Sequence, residues 1–195
     1  AIGTIGDSRG LWIANDPDGD WKRVQDGEIP GRRVTSLASN NGQLYIGTED
    51  RGLSVMNINS GRVYRPLAPW TAGVINIRAL TVDETGTVWI GTYGTGLFRW
   101  NPRTNSVFRY STDSGDLADD YVLSAISIPG GVVVGTFGAG AYSYSIGDDE
   151  WTAINLDSGL TSTEITSLAH AESFTYFGTL GGGVEILADS LESAS

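Results

Sequence analysis

The chain has 195 residues, with 12 Lys and Arg against 23 Asp and Glu and a net charge of −11. That balance excludes nucleic acid as an expected partner, since affinity for phosphates needs clustered cations, and an anionic membrane surface with it. With no cysteine there is no disulfide framework and no thiolate metal site, and no apolar run reaches the ~18 residues of a membrane span, so no direct membrane insertion is expected.

In chain order, residues 1–33 read as an incomplete unit of three strands. These are Ile2-Gly3-Thr4, Gly10-Leu11-Trp12-Ile13-Ala14 and Trp21-Lys22-Arg23-Val24. The segment Asp16-Pro17-Asp18-Gly19-Asp20 has carboxylates at alternate positions, as at the start of a calcium loop. Trp21 stands where that loop needs glycine and its closing Glu is missing, so Asp16, Asp18 and Asp20 read first as a solvated turn and no cofactor is expected.

Residues 34–67 form the first complete unit: Val34–Ala38, the turn Asn40-Asn41-Gly42, Leu44–Thr48, Leu53–Ile58, and Arg62–Leu67. Asn-Gly admits the positive φ that tight hairpins need. Residues 77–110 repeat the plan with Ile77–Val82, Val88–Thr92, Leu97–Trp100 and Val107–Tyr110. Residues 122–154 repeat it again with Val122–Ile128, Val132–Thr136, Ala141–Ser145 and Trp151–Ile154. Residues 165–187 supply Ile165–Ala169, Thr175–Thr179 and Val184–Leu187, and 188–195 read as a polar tail. No helical periodicity stands out, so no long helix is expected.

The Gly-Thr pairs end at Thr4, Thr48, Thr92, Thr136 and Thr179, which are 44, 44, 44 and 43 residues apart. A period of that length is the signature of a four-stranded propeller blade. Second strands such as Val88-Trp89-Ile90 are apolar without alternation, as in a strand covered on both faces. The expected fold is all-β: a propeller of four-stranded antiparallel blades, about five repeats of 43–44 residues, spanning 1–187 as one domain.

At these residues the chain resembles the two-component regulator propeller repeat. The run Gly86-Thr87-Val88-Trp89-Ile90-Gly91-Thr92-Tyr93-Gly94-Thr95-Gly96-Leu97 follows its pattern. Asn101 sits at its Asp/Asn place, Phe108-Arg109-Tyr110 at its aromatic pair, and Leu156-Asp157-Ser158-Gly159-Leu160 resembles its Gly-Leu loop. The resemblance implies an extracytoplasmic sensor domain of the kind attached to bacterial hybrid histidine kinases, which recognise oligosaccharides or mediate assembly. Family domains are usually larger, often of seven blades, and this sequence holds no kinase or DNA-binding segment. Three arrangements stay open: a closed ring with incomplete end blades, part of a larger ring, or a unit that closes by associating with other copies. The chain starts at Ala1 rather than Met, so a processed product or a piece of a longer protein is expected, with the secretion signal outside this sequence.

In a propeller, the second-to-third-strand loops and the blade-to-blade loops emerge on one face. That gathers Trp70, Tyr93, Tyr121 and Phe137 with Arg32, Arg33 and Arg51. Rings with a few polar partners suit a glycan or a protein; the alternative is inter-blade packing, weighed evenly for Trp70 and favoured for Phe137. Catalysis is not expected. His170 is the only histidine and no Gly-x-Ser-x-Gly elbow is present. Asp113, Asp119 and Asp120 read as solvated rather than as an acid–base pair. Gly91, Gly94 and Gly96 mark a turn, with no helix to present amides to a phosphate. The expected function is a non-catalytic ligand- or protein-binding module. One alternative is a structural subunit that self-associates through incomplete end blades. Another is a propeller lyase or glycosidase using His170.

Overall fold

Each strand pair is set by the turn chemistry of its connecting residues. Asn41 and Gly42 have φ of 47° and 73°, the pair of positive values that a two-residue hairpin requires. The computed structural model describes residues 2–4, 10–14, 16, 18–24, 33–66 and 76–188.

These residues form five antiparallel sheets, each a simple meander. The first holds β1 (Ile2–Thr4), β2 (Gly10–Ile13) and β3 (Lys22–Arg23). The second holds β4 (Val34–Asn40), β5 (Gln43–Thr48), β6 (Gly52–Asn57) and β7 (Val63–Tyr64). The third holds β8 (Ile77–Val82), β9 (Val88–Thr92), β10 (Leu97–Asn101) and β11 (Ser106–Tyr110). The fourth holds β12 (Val122–Ile128), β13 (Gly131–Thr136), β14 (Ala141–Ser145) and β15 (Glu150–Ile154). The fifth holds β16 (Ile165–Ala171), β17 (Phe174–Thr179) and β18 (Gly183–Ala188). The described residues contain one helical element, a 3-10 turn at Leu156–Ser158 capped by the Asn155 side chain. Two of the outermost strands, β3 and β7, are shorter than the sequence suggests, whereas β11 and β15 each begin one residue earlier than expected. β7 covers two residues where Arg62–Leu67 was expected, and Pro66 lacks the N–H that would extend the ladder.

The sheets pack face to face in chain order. Leu11 of the first sheet meets Val34, Leu44, Ile46 and Met56 of the second. Tyr45, Leu53 and Val55 meet Val88, Ile90 and Trp100 of the third. Trp89 and Leu97 meet Val132, Val134, Tyr142 and Tyr144 of the fourth. Val133 and Ala141 meet Ile165 and Phe177 of the fifth. The first strands β4, β8, β12 and β16 pack in series, which makes them the wall around which the sheets fan out. Among the described residues no comparable packing joins the fifth sheet to the first.

Two features of the repeat explain its Gly-Thr pair. Each first strand carries a one-residue bulge, after Val34, Ile77, Val122 and Ile165. The residue just before the bulge presses on the glycine of the preceding sheet. A Cβ on Gly47 would lie 2.6 Å from Ile77, on Gly91 2.7 Å from Val122, and on Gly135 2.5 Å from Ile165. Glycine is there because the next blade occupies the space of a side chain. The threonine is buried and locks the following loop. Thr92 Oγ1 accepts from Thr95 N at 3.0 Å and donates to the Gly96 carbonyl at 2.7 Å. Thr48 and Thr136 make the same two bonds.

Candidate functional site: the loop face

The threonine locks give the β5–β6, β9–β10 and β13–β14 loops one shape at one end of the fan, and in the β17–β18 loop Thr179 Oγ1 donates to the Gly183 carbonyl in the same way. A second recurring bond joins each loop to the segment entering the next first strand. Glu49 N donates to Arg33 O, Tyr93 N to Asn76 O, Phe137 N to Tyr121 O and Leu180 N to Glu164 O, at 2.9 to 3.0 Å. The loop face is therefore a row of equivalent positions, which this chain fills with different side chains.

The row is aromatic at its centre. Tyr93 and Tyr121 meet edge to face, with centroids 4.7 Å apart, and Phe137 follows on the Tyr121 carbonyl. The three are 46%, 41% and 42% exposed. The Arg78 guanidinium lies over the Tyr93 ring at 5.3 Å, a favourable cation–π placement. Three buried polar atoms nearby in the sequence of the row lack a partner: Asp50 Oδ1, Asn76 Oδ1 and Arg78 Nε. Unpaired buried groups carry a desolvation cost that a ligand's donors and acceptors would relieve.

Asp119 and Asp120 brace this face through backbone hydrogen bonds. Asp119 accepts from Tyr121 N at 2.9 Å and from Gly138 N at 2.7 Å. Asp120 accepts from Thr112 N and Oγ1 at 2.9 and 2.8 Å, while its carbonyl takes the N–H groups of Gly94 and Gly96. Asp113 lies 3.9 Å from Arg109. Of the arginines singled out in the sequence, Arg33 pairs with Glu49 at 2.6 Å, and Arg51 is exposed beside Asp50 at 3.8 Å. Trp70 and Arg32 lie outside the described residues. Arg78, Asn76 and Glu49 were missed by sequence reasoning; the signal for Glu49 was its place directly after a Gly-Thr pair, equivalent to Tyr93.

The other candidates lie elsewhere. His170 is near the far end of β16, its Nδ1 3.4 Å from Thr175 Oγ1. Asp16, Asp18 and Asp20 are exposed in the β2–β3 turn, where Asp16 Oδ1 accepts from Asp18 N at 3.0 Å. No group of three or more His, Cys, Asp or Glu that could hold a metal occurs among the described residues. A depression of about 430 Å³ lined by Ser39, Asn40, Asp83 and Ile128 opens at the end opposite the loops.

One polar cluster joins two blades. Arg99 on β10 reaches across to sheet four, donating to Tyr144 Oη at 2.6 Å and Asp149 Oδ1 at 3.1 Å, with its guanidinium 5.5 Å from the Trp89 ring. Tyr144 donates its hydroxyl to Asp149. Burial and that bond raise the Tyr144 phenol, and the bonds from Tyr144 and Arg99 hold the Asp149 carboxyl below its usual range.

Comparison with known proteins agrees with this geometry. The two component regulator propeller model matches residues 73–94, the stretch that runs through β8 and β9 to Gly94. No curated protein matches the chain in sequence. Among solved structures, the extracellular domain of BT3049 of B. thetaiotaomicron, designated a hybrid two component system, superposes with a TM-score of 0.71 at 22% identity. That match covers 89% of this chain and 26% of the other. The extracellular domain of BT4673 from the same organism, designated a one component system, gives 0.70 at 20% identity, covering 93% and 25%. The computationally designed Ika4 protein gives 0.62 at 16% identity, covering 83% and 94%. The chain spans about a quarter of the length of the two extracellular domains, and no described helix is long and apolar enough to cross a membrane. By fold and by repeat, the chain is a β-propeller that carries the two component regulator propeller repeat.

Proposed function

We propose that this propeller is a non-catalytic recognition module of an extracytoplasmic bacterial sensor or surface protein, and that it takes a glycan or protein partner on the loop face. The observation that carries this reading is the exposed run Tyr93–Tyr121–Phe137. Rigid rings offer large contact area at low entropic cost, and the apolar faces of a sugar stack on such rings. The unpaired oxygens of Asp50 and Asn76 and the exposed head of Arg51 supply the polar contacts that orient a ligand. The test is a glycan panel and a pull-down from the outer-surface proteins of a source organism, followed by titration calorimetry on any hit. Tyr93→Ala and Tyr121→Ala together are expected to weaken binding by about tenfold or more with thermal unfolding nearly unchanged, because both rings are half exposed. Full affinity in the double variant would sink the assignment of this face.

A second reading, assembly into a larger propeller, is favoured by the outward face of the fifth sheet. Val184 and Ile186 are 68% and 57% exposed, whereas Leu97 and Leu53, which hold the Val184 position in earlier sheets, are fully buried. That face meets the next blade everywhere else in the chain.

A further inference from the structure

We infer that Arg78 is the anchor for a carboxylate on the loop face, and that the ligand it selects is an acidic glycan built from uronic acid units. This rests on the glycan reading above and names the class of sugar. Of the described Lys and Arg side chains, Arg78 and Arg99 alone are partly buried, and the others are exposed. Arg99 has Asp149 and Tyr144 as partners. Arg78 forms an ion pair with no described carboxylate, and its buried Nε has no hydrogen-bond partner. Its guanidinium rests over the Tyr93 ring at 5.3 Å, which stabilises the charge only in part. A partly buried cation without an anion carries a desolvation cost that a bound carboxylate offsets.

The repeat itself does not ask for this arginine. Arg78 is the bulge residue of β8, between Ile77 opposite Thr92 and Ala79 opposite Gly91, and a bulge re-aims the side chain it carries. Thr35, Leu123 and Thr166 hold the same place in the other first strands. Thr35 and Thr166 turn their hydroxyls onto their own sheets, donating to the carbonyls of Gly47 and Gly178 at 3.2 and 3.1 Å. Arg78 has an unpaired Nε in that place.

The chemistry around Arg78 sets the ligand. A guanidinium presents its N–H groups in a planar fork that matches the two oxygens of a carboxylate. Two acceptors without donors stand in the same part of the row, Asn76 Oδ1 and Asp50 Oδ1. The Asn76 carbonyl takes Tyr93 N, which puts Asn76 beside the ring that carries the guanidinium. Asp50 and Asn76 occupy the places that Gly94 and Tyr121 hold one blade later, where a Cβ on Gly94 would lie 3.4 Å from the Tyr121 ring. A ligand for this corner needs a carboxylate and hydroxyl donors on one small frame, which a uronic acid supplies and an acidic peptide side chain does not. Tyr121 and Phe137 continue the row with half-exposed rings for the neighbouring sugars. Other acids of this face do not compete for Arg78. Glu49 is paired with Arg33, and Asp119 and Asp120 accept from backbone N–H groups.

The probes are labelled oligomers of galacturonate, of mannuronate and of glucuronate alternating with N-acetylglucosamine, each paired with its carboxyl-reduced form. They are titrated into the full chain and followed by anisotropy. At least one uronate oligomer is expected to bind saturably, with its reduced form weaker by about tenfold or more. Arg78→Met is expected to weaken the acidic oligomer to the level of the reduced one and to leave the reduced one unchanged. Its thermal unfolding should be unchanged or raised, because an unpaired charge is removed. Arg78→Lys, which keeps the charge and loses the fork, should fall between the two. No saturable binding of any acidic oligomer, or equal binding of a reduced form, overturns the anchor. A lowered melting temperature in Arg78→Met with affinity retained also overturns it, because Arg78 would then serve the fold. Equal binding of labelled hexaglutamate or of dextran sulfate overturns the choice of uronic acid. The loop-face reading fails in a different way. Tyr121→Ala/Phe137→Ala leaves Arg78 and Tyr93 in place. Full affinity in that variant, with loss in Arg78→Met, removes the aromatic row and keeps the anchor. Loss of both oligomer forms in that variant, with neither lost in Arg78→Met, keeps the row and overturns the anchor.

Discussion

Thr92 shows how much of a propeller blade can hang on one hydroxyl. It has no exposed surface, accepts from one backbone N–H of its loop and donates to one carbonyl. Thr92→Val keeps the shape and removes both bonds, so it is expected to cost about 1–3 kcal/mol, read as a lowered midpoint in urea. A variant within about 0.5 kcal/mol of the parent would show that water replaces the hydroxyl at no loss. Asp149 gives a pH test at the same scale. Its carboxyl is held below its usual range by the Tyr144 hydroxyl and the Arg99 guanidinium. A depressed carboxylate contributes stability above its unfolded pKa of about 3.9 and loses it as pH falls through the lower folded value. Asp149→Asn should therefore melt at a lower temperature than the parent at pH 7, and the gap should narrow below about pH 4. A gap that stays constant down to pH 2.5 would place the effect in packing rather than in charge.

At the scale of the element, the glycine of each Gly-Thr pair reports whether a blade follows. Gly91→Ala would drive a Cβ to 2.7 Å from Val122, and overpacking of this kind costs about 1–3 kcal/mol. At Gly178 a Cβ would meet only Ser167, whose hydroxyl can rotate away. Gly91→Ala and Gly135→Ala are thus expected to destabilise clearly more than Gly178→Ala, and equal losses at all three would remove the inter-blade explanation. This contrast also marks what the sequence could say. The 44-residue spacing, the second strands and the Asn41-Gly42 turn were legible because local chemistry sets them. The aromatic row on the loop face was legible in part, since Tyr93 and Phe137 follow Gly-Thr pairs directly. Arg78 was not, because it sits inside a first strand and reaches Tyr93 only through the bulge. The Arg99–Tyr144–Asp149 latch was not either: its members are up to 50 residues apart and meet only once it is known which faces abut. Asp119 and Asp120 read as solvated acids because their backbone partners are invisible in a string of letters.

At the scale of the whole molecule, the sheets behave as a linear array in which each contacts only its neighbours, so stability should add from intrinsic and interface terms. The third and fourth sheets have an interface on each side. The fifth has one, on Ile165 and Phe177, with Val184 and Ile186 open on the other. Opening the fifth sheet breaks one interface, whereas exposing β9 or β13 breaks two. Hydrogen exchange should therefore be slowest in β9 and β13 and faster in β17, by about tenfold for each 1.4 kcal/mol of interface that β17 lacks. A strand or a further blade that covers the last sheet would raise protection in β16–β18 and leave β9 nearly unchanged, because the central sheets already have both neighbours. Exchange that is uniform along the chain would instead mean that all five sheets open together, and the array would have to be treated as one cooperative unit.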